Sequence, residues 1–281
     1  MNNRHTNRIA FQGEPGAYSH QACREVYPEM EAMPCPTFEA ALDAVRSRAA
    51  DLAMMPIENS THGRVADLHR LLPEAGLYII GEHFVPVRIN LYGVKGATLD
   101  TVKTARSHSV LLAQVAGFLK GKGIQPVTGA DTAGSVREIA EANDPERAAM
   151  GSPLAGEIHG LEVLAENIQD NDHNTTRFLV MSRQRIEAEP GVDGALTAFI
   201  FEVRNVPAAL YKAMGGFATI GVNMVKLESY MVDGRFTATQ FYAEIEGHPE
   251  DIGVQHAFEE LGFFTKHVKV LGVFPRARER G

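Results

Sequence analysis

Cysteine is scarce in this chain, with only Cys23 and Cys35 among 281 residues. Two thiols are too few for a disulfide framework and lack the paired spacing of a zinc site. They are expected to be buried or idle thiols in a reducing cytoplasm. Long apolar runs are also missing: none approaches the roughly 20 residues that a spanning helix needs, and residues 1–7 carry no apolar core of a secretory signal. A soluble cytoplasmic protein with no membrane partner is expected. Basic charge is short too, since 27 Lys and Arg stand against 35 Asp and Glu and leave a formal charge of -8. The basic residues are scattered instead of forming a stripe, so no nucleic-acid partner is implied. The 11 histidines show neither His-x-x-x-His nor His-Glu-x-x-His spacing, and the expectation is no metal and no cofactor.

What is present is an ordinary globular composition, 44% hydrophobic, in a chain long enough for two domains. A short strand at 8–11 leads through Gly13-Glu14-Pro15-Gly16-Ala17-Tyr18-Ser19 into a helix ending near Val26. The glycines permit a tight turn, and the free N–H groups of the helix start, with Ser19, suit an anion. The turn has neither the Gly-Lys-Ser/Thr of a phosphate loop nor the third Gly of a dinucleotide fingerprint, so a carboxylate fits better than a nucleotide. A plain strand-to-helix turn is the other reading.

Thr37 is placed to cap a helix over 38–50, which leads into a strand at 51–57. Glu58, Asn59, Ser60 and Thr61 then fall just past the strand end, where open parallel sheets hold ligands, and Gly63 turns the chain toward a helix at 65–72. Glu58 is a proton donor if it is buried and only a loop carboxylate if it is exposed.

Apolar strands at 77–83 and 87–93, broken only by Pro86, suggest a crossing into a second lobe. Strand and helix patterns then alternate at 102–106, 109–119, 124–127, 132–142 and 148–151, giving an α/β domain with a mostly parallel sheet. Ser107, His108, Ser109 and Gln114 gather at one strand-to-helix turn, where His108 reads first as a structural histidine and Asp131 as the cap of the next helix.

The densest polar stretch is Glu166-Asn167-Ile168-Gln169-Asp170-Asn171-Asp172-His173-Asn174-Thr175-Thr176-Arg177-Phe178, a loop feeding the apolar Leu179-Val180-Met181. Residues 186–194 then read as a Pro/Gly/acid linker. Beyond it, strands at 195–203, 223–231, 236–245 and 267–274, with helices at 207–220 and 249–261, make a βαββαβ unit.

The block Asn174-x-Thr176-Arg177-Phe178, with Pro56-Ile57-Glu58-Asn59-Ser60 upstream and Glu228-Ser229 in the βαββαβ tail, resembles the prephenate dehydratase family with a C-terminal ACT regulatory domain. The likeness runs over about 8–274, and several motifs in the right order make it specific. It implies a two-lobed α/β dehydratase domain similar to periplasmic binding proteins over 8–185, a linker at 186–194 and a ferredoxin-like ACT domain over 195–275. No fused chorismate mutase is expected. The implied reaction turns prephenate into phenylpyruvate, water and carbon dioxide, a carbon–oxygen lyase step in L-phenylalanine biosynthesis.

By resemblance, Thr176 is the essential residue, donating to the leaving hydroxyl, with Glu58 the candidate proton source. Ser19, Asn59, Ser60, Ser107, Gln114, Asn174, Arg177 and Phe178 are the implied substrate-binding residues. Arg177 either binds a carboxylate or pins the loop. L-phenylalanine is the implied effector, bound between subunits of a homodimer or homotetramer by Ala208, Ala209, Leu210, Asn223, Glu228 and Ser229. The family's Gly-Ala-Leu stands here as Ala208-Ala209-Leu210 and its Glu-Ser-Arg-Pro as Glu228-Ser229-Tyr230-Met231. The added methyl of Ala208 could crowd the ligand, and an ACT domain that only dimerises is the other reading. Arogenate dehydratase and a non-catalytic two-lobed amino-acid sensor are the alternative functions; a sensor would not need Thr176 beside Glu58.

Overall fold

A computed structural model describes residues 6–191, 194–231 and 238–280. Ile9, Ala10 and Phe11 are fully buried in β1 (Arg8–Gln12), which is followed by α1 (Tyr18–Val26), β2 (Glu31–Cys35) and α2 (Phe38–Arg46). Thr37 caps α2 as expected, its hydroxyl accepting from Ala40 N at 3.0 Å. β3 (Leu52–Asn59), β4 (Gly63–Arg64), α3 (Ala66–Leu71) and β5 (Tyr78–Pro86) come next. β3 outruns its expected end because Glu58 and Asn59 pair with Arg64 and Gly63 in a tight hairpin, so both lie in the strand and not past it. β2 has no counterpart in the sequence reading; its Pro34 hides the strand pattern, and as an edge strand it tolerates the missing N–H.

The second sheet is built from β6 (Asn90–Gly93), β7 (Thr104–Ser107), α4 (Ser109–Ala113), α5 (Ala116–Lys122), β8 (Gln125–Thr128), α6 (Thr132–Ala142), β9 (Arg147–Gly151), α7 (Pro153–His159) and β10 (Glu162–Ala165). The single helix expected over 109–119 is two helices. The Gln114 carbonyl, which a continuous helix would give to the amide four residues on, instead accepts from Asp170 N at 2.7 Å. α7 and β10 were not anticipated, and the sheet is mixed instead of mostly parallel. Its order is β10-β6-β9-β7-β8, with β7 parallel to β8 and β9 while β6 runs antiparallel to β9 and β10.

β11 (Thr175–Ser182) joins the first sheet, whose order is β2-β1-β3-β11-β5. Thr176, Arg177 and Phe178 therefore sit on a strand, where their side chains alternate between faces, and not in the loop before it.

β12 (Ala195–Val203), α8 (Ala209–Ile220), β13 (Met224–Met231), β14 (Ala238–Glu246), α9 (Ile252–Phe264) and β15 (Thr265–Pro275) form the expected βαββαβ unit, with sheet order β13-β14-β12-β15. Alternate residues decide which face the helices cover: Phe199, Phe201, Phe241 and Ala243 pack with Ala213 and Phe217 of α8 and with Ala257 and Leu261 of α9. The expected start of β14 at Phe236, and Val192 and Asp193 of the expected linker, lie outside the described residues.

The chain divides into two compact units, one running up to Leu68 and including His83–Phe178, the other comprising His69–Glu82 and the chain from Leu179 on. On the sheet face of the second unit away from its helices, Tyr242 donates to Glu244 at 2.6 Å and Glu244 pairs with Arg280 at 2.5 Å. His69 Nδ1 lies 2.6 Å from the Tyr230 hydroxyl.

Candidate active site

The first unit holds a cavity of about 330 Å³, lined among others by Ser19, Thr176, Phe178, His108 and Thr132. Strand alternation selects its wall: Thr176 and Phe178 face the cavity, while Arg177 between them points the other way. Arg177 is 2% exposed, meets Glu58 at 2.8 Å and stands 6.0 Å from the centre of the Phe84 ring. The first turns of α1 and α6 also line the cavity through Tyr18 and Ser19 and through Thr132 and Ala133, with the acidic residues Glu14 and Asp131 beside them. Thr132 and Tyr18 were not anticipated here. The signal that could have found them is their position, first or second residue after a turn that ends in a helix cap.

Gly16 sits in the turn that carries Gly13, Ala17 and Tyr18 to this wall. Its φ is +95°, and a Cβ there would lie 2.7 Å from Ala155 Cα, which lets Ser152 Oγ donate to the Gly16 carbonyl at 2.6 Å. Tyr18 donates its phenol to the Arg88 carbonyl at 2.7 Å, and burial raises its pKa far above the ordinary phenol value. Asp131 caps α6 as expected, accepting from Gly134 N at 2.7 Å. His108 caps α4, its Nδ1 accepting from Val110 N at 3.3 Å, which leaves the proton of a neutral ring on Nε2. The structural reading of His108 and a place on the cavity wall are thus both true of it.

Beside Thr176 the loop, the hairpin and the α4–α5 break converge. Asn59 Nδ2 donates to Thr176 Oγ1 at 3.0 Å and to Asn174 Oδ1 at 2.7 Å. Asn174 Nδ2 donates to Gln114 Oε1 at 2.8 Å, and Gln114 Nε2 lies 3.2 Å from His62 Nδ1. Ser60 clamps the hairpin to the loop: its Oγ donates to the His173 carbonyl at 2.8 Å and accepts from Thr175 N at 2.9 Å. Ser107 is fully buried behind the wall, its Oγ donating to the Met150 carbonyl at 3.1 Å and lying 3.5 Å from Oγ1 of the cavity-lining Thr132. Of the residues named from sequence, Ser19, Thr176 and Phe178 line the cavity, Asn59, Ser60, Gln114 and Asn174 make the network beside it, and Glu58 pairs with Arg177.

Among the described residues, no group of three His, Cys, Asp or Glu side chains could hold a metal ion. Cys23 and Cys35 are free and buried, and burial pushes the Cys23 thiol up to about 12. Among the described residues, no helix is long and apolar enough to cross a membrane.

The second unit has its own cavity, about 290 Å³, which brings together Ala208, Ala209 and Leu210 with Arg204 and Phe241. Ala208 is left-handed, at φ 60° and ψ 18°, where glycine rests without cost. Asn223, Glu228 and Ser229 are not in this wall. Asn223 Nδ2 donates to Glu246 at 3.0 Å, and Glu228, 3.4 Å from Lys226, and Ser229 sit on the edge strand β13.

The sequence pattern of the prephenate dehydratase family matches residues 9–186. The chain is 48% identical, over 95% of its own length and 95% of the other's, to a bifunctional N-acyl-homoserine lactone acylase/prephenate dehydratase of Komagataeibacter europaeus. It is 35% identical to arogenate dehydratase/prephenate dehydratase 1 of Arabidopsis thaliana, over 95% of this chain and 72% of that one. The structure of a prephenate dehydratase from Arthrobacter aurescens in complex with L-Phe superposes with a TM-score of 0.87 at 31% identity, covering 96% of this chain and 90% of that one.

Proposed function

This chain belongs to the prephenate dehydratase family, and from that premise we propose that it is a dehydratase acting on prephenate, releasing phenylpyruvate, water and carbon dioxide. The family makes it a carbon–oxygen lyase of prephenate or arogenate; the choice of prephenate is our reading. One observation carries it: Thr176 lies on the wall of a cavity that the first turns of α1 and α6 also line, with Ser19 and Thr132 among their residues. The substrate has two carboxylates and a ring hydroxyl. Neutral hydroxyls bind such anions without neutralising them, which suits a reaction that must expel one carboxylate as carbon dioxide.

In the step itself the ring C–CO₂ bond breaks and its electron pair enters the ring. The C–O bond at the opposite carbon breaks in turn, and the departing oxygen takes up a proton to leave as water. Thr176 hydrogen-bonds the departing oxygen, where negative charge grows. Ser19 holds carboxylate, and Phe178 packs on the ring. Arg177 serves as the pin of β11, held by Glu58, and Glu58 in that pair acts as the partner of a buried cation and not as the proton source.

The regulatory reading places L-phenylalanine at the Ala208 cavity of an ACT domain spanning 195–275, with Asn223, Glu228 and Ser229 contributed by a second copy of the chain in a homo-oligomer. Side-by-side turnover of prephenate and arogenate, with and without L-phenylalanine, tests both parts. Preference for arogenate would move the substrate assignment, and indifference to L-phenylalanine would remove the effector.

A second reading is favoured by the 48% identity to a protein named for two activities. We also propose hydrolysis of N-acyl-homoserine lactones to fatty acid and homoserine lactone. An apolar groove of about 420 Å³ in the first unit, lined by Leu112, Leu119, Ile124 and Pro126 with Ser109 and Lys120, has the character an acyl chain needs. Release of free homoserine lactone from substrates of increasing chain length tests it.

A further inference from the structure

Resting on the dehydratase reading, we propose that Asn59 is a positioning residue that turns the Thr176 hydroxyl toward the cavity, with His62, which no motif singled out, as the outer end of the device. The direction of each bond follows from which groups can only donate. The backbone amides of Thr61 and His62 both point at Asn59 Oδ1, each at 3.0 Å, and the Thr61 hydroxyl adds a third contact at 2.7 Å. An amide N–H cannot accept, so the oxygen of the Asn59 carboxamide is fixed on the hairpin side and its nitrogen on the other.

That nitrogen donates to Thr176 Oγ1 and to Asn174 Oδ1. Once Asn174 accepts there, its nitrogen must donate to Gln114 Oε1, and the Gln114 nitrogen, which can only donate, faces His62 Nδ1, an atom that also lies 2.7 Å from the Thr61 hydroxyl and 3.2 Å from Asn59 Oδ1. The chain of amides is therefore polarised one way, from the hairpin amides at one end to the imidazole lone pair at the other. For Thr176 the consequence is specific. Its oxygen accepts an N–H hydrogen bond from Asn59, so its own O–H is left to donate, and the cavity is what it lines. An N–H on the oxygen also makes the hydroxyl a stronger donor to a departing oxygen.

The test uses the full chain and saturating prephenate, comparing wild type with Asn59→Asp across pH. The carboxylate keeps the hairpin amides satisfied but can only accept from Thr176, so the O–H turns away from the cavity. We expect kcat to fall about 100-fold near neutral pH with KM within about threefold. It should recover toward wild type as pH drops and the new carboxyl gains a proton it can donate. The groups that bias this titration are His62, 3.2 Å from Asn59 Oδ1, and the neighbouring Glu58 with its partner Arg177. At the outer end, His62→Leu should lower kcat about threefold to tenfold, and His62→Asn, which restores an acceptor, should recover most of it.

An Asn59→Asp enzyme with wild-type kcat at neutral pH, one that changes only KM, or one whose kcat loss persists at low pH would overturn the positioning role while leaving the dehydratase reading intact. Equal kcat in His62→Leu and wild type would remove His62. Absence of turnover in the wild type itself overturns both readings.

Discussion

The cavity beside Thr176 and the cavity beside Ala208 each lie where the chain enters a helix, yet their surroundings differ. Around Thr176, side chains far apart in sequence meet within one chain: Asn59, Gln114 and Asn174 join it by bonds of 2.7 to 3.0 Å. Around Ala208 only three of the six residues expected to act together reach the cavity, while Asn223, Glu228 and Ser229 lie elsewhere in the same unit. A chemical step needs its donors fixed within tenths of an ångström, so a finished polar network suits catalysis in each chain. Expected residues that lie apart in one chain are what the proposed binding of L-phenylalanine between two copies requires.

The comparison can be pressed hardest at Gly16. A methyl there meets Ala155 backbone at 2.7 Å and must also hold φ at +95°. Gly16→Ala is expected to cost about 3 kcal/mol, read as a lower urea midpoint, and to lower turnover with it. Next in size is Glu58→Ala, which takes from the buried Arg177 the carboxylate at 2.8 Å. Because Glu58 is itself partly exposed, a loss of about 2 kcal/mol is expected. Retained kcat per folded molecule would separate the pin from the chemistry.

On the other side, Ala208→Gly relieves the left-handed backbone at φ 60° and should stabilise the chain by about 0.5–1 kcal/mol. It should also shift inhibition to lower L-phenylalanine, with no change in uninhibited kcat. The smallest effect concerns His20, stacked on Phe11 at 5.2 Å with its Nδ1 accepting from Gly16 N at 3.1 Å. Burial first, and the charge of Arg24 second, lower its pKa. The unfolded chain then binds the proton more readily than the folded one. Stability is full above the ordinary value of about 6.5 and is lost as pH falls from there toward the lowered one. His20→Gln should flatten that acid-side slope in melting temperature against pH.

Much of this architecture was legible in the residues. Thr37 and Asp131 cap the helices that their positions announced, and the βαββαβ tail follows its alternation, because these signals are local. The split at Gln114 was not legible, since it depends on a carbonyl captured by Asp170, 56 positions away by number (170 minus 114). Asn59 and Thr176 could be named from the resemblance, but the bond between them closes only when β3, β4 and the loop before β11 come together. His62 carried no sequence signal at all, being one exposed histidine in a hairpin. The left-handed backbone of Ala208 was hidden for the opposite reason: alanine is the residue that least announces such a turn.

The most direct test is phenylpyruvate formation from saturating prephenate by the full chain and by Thr176→Ala. Turnover by the wild type that falls about 100-fold or more in the variant, with the fold unchanged by circular dichroism, is the expected result. An undiminished rate in Thr176→Ala, or a wild type inert toward both prephenate and arogenate, would contradict it.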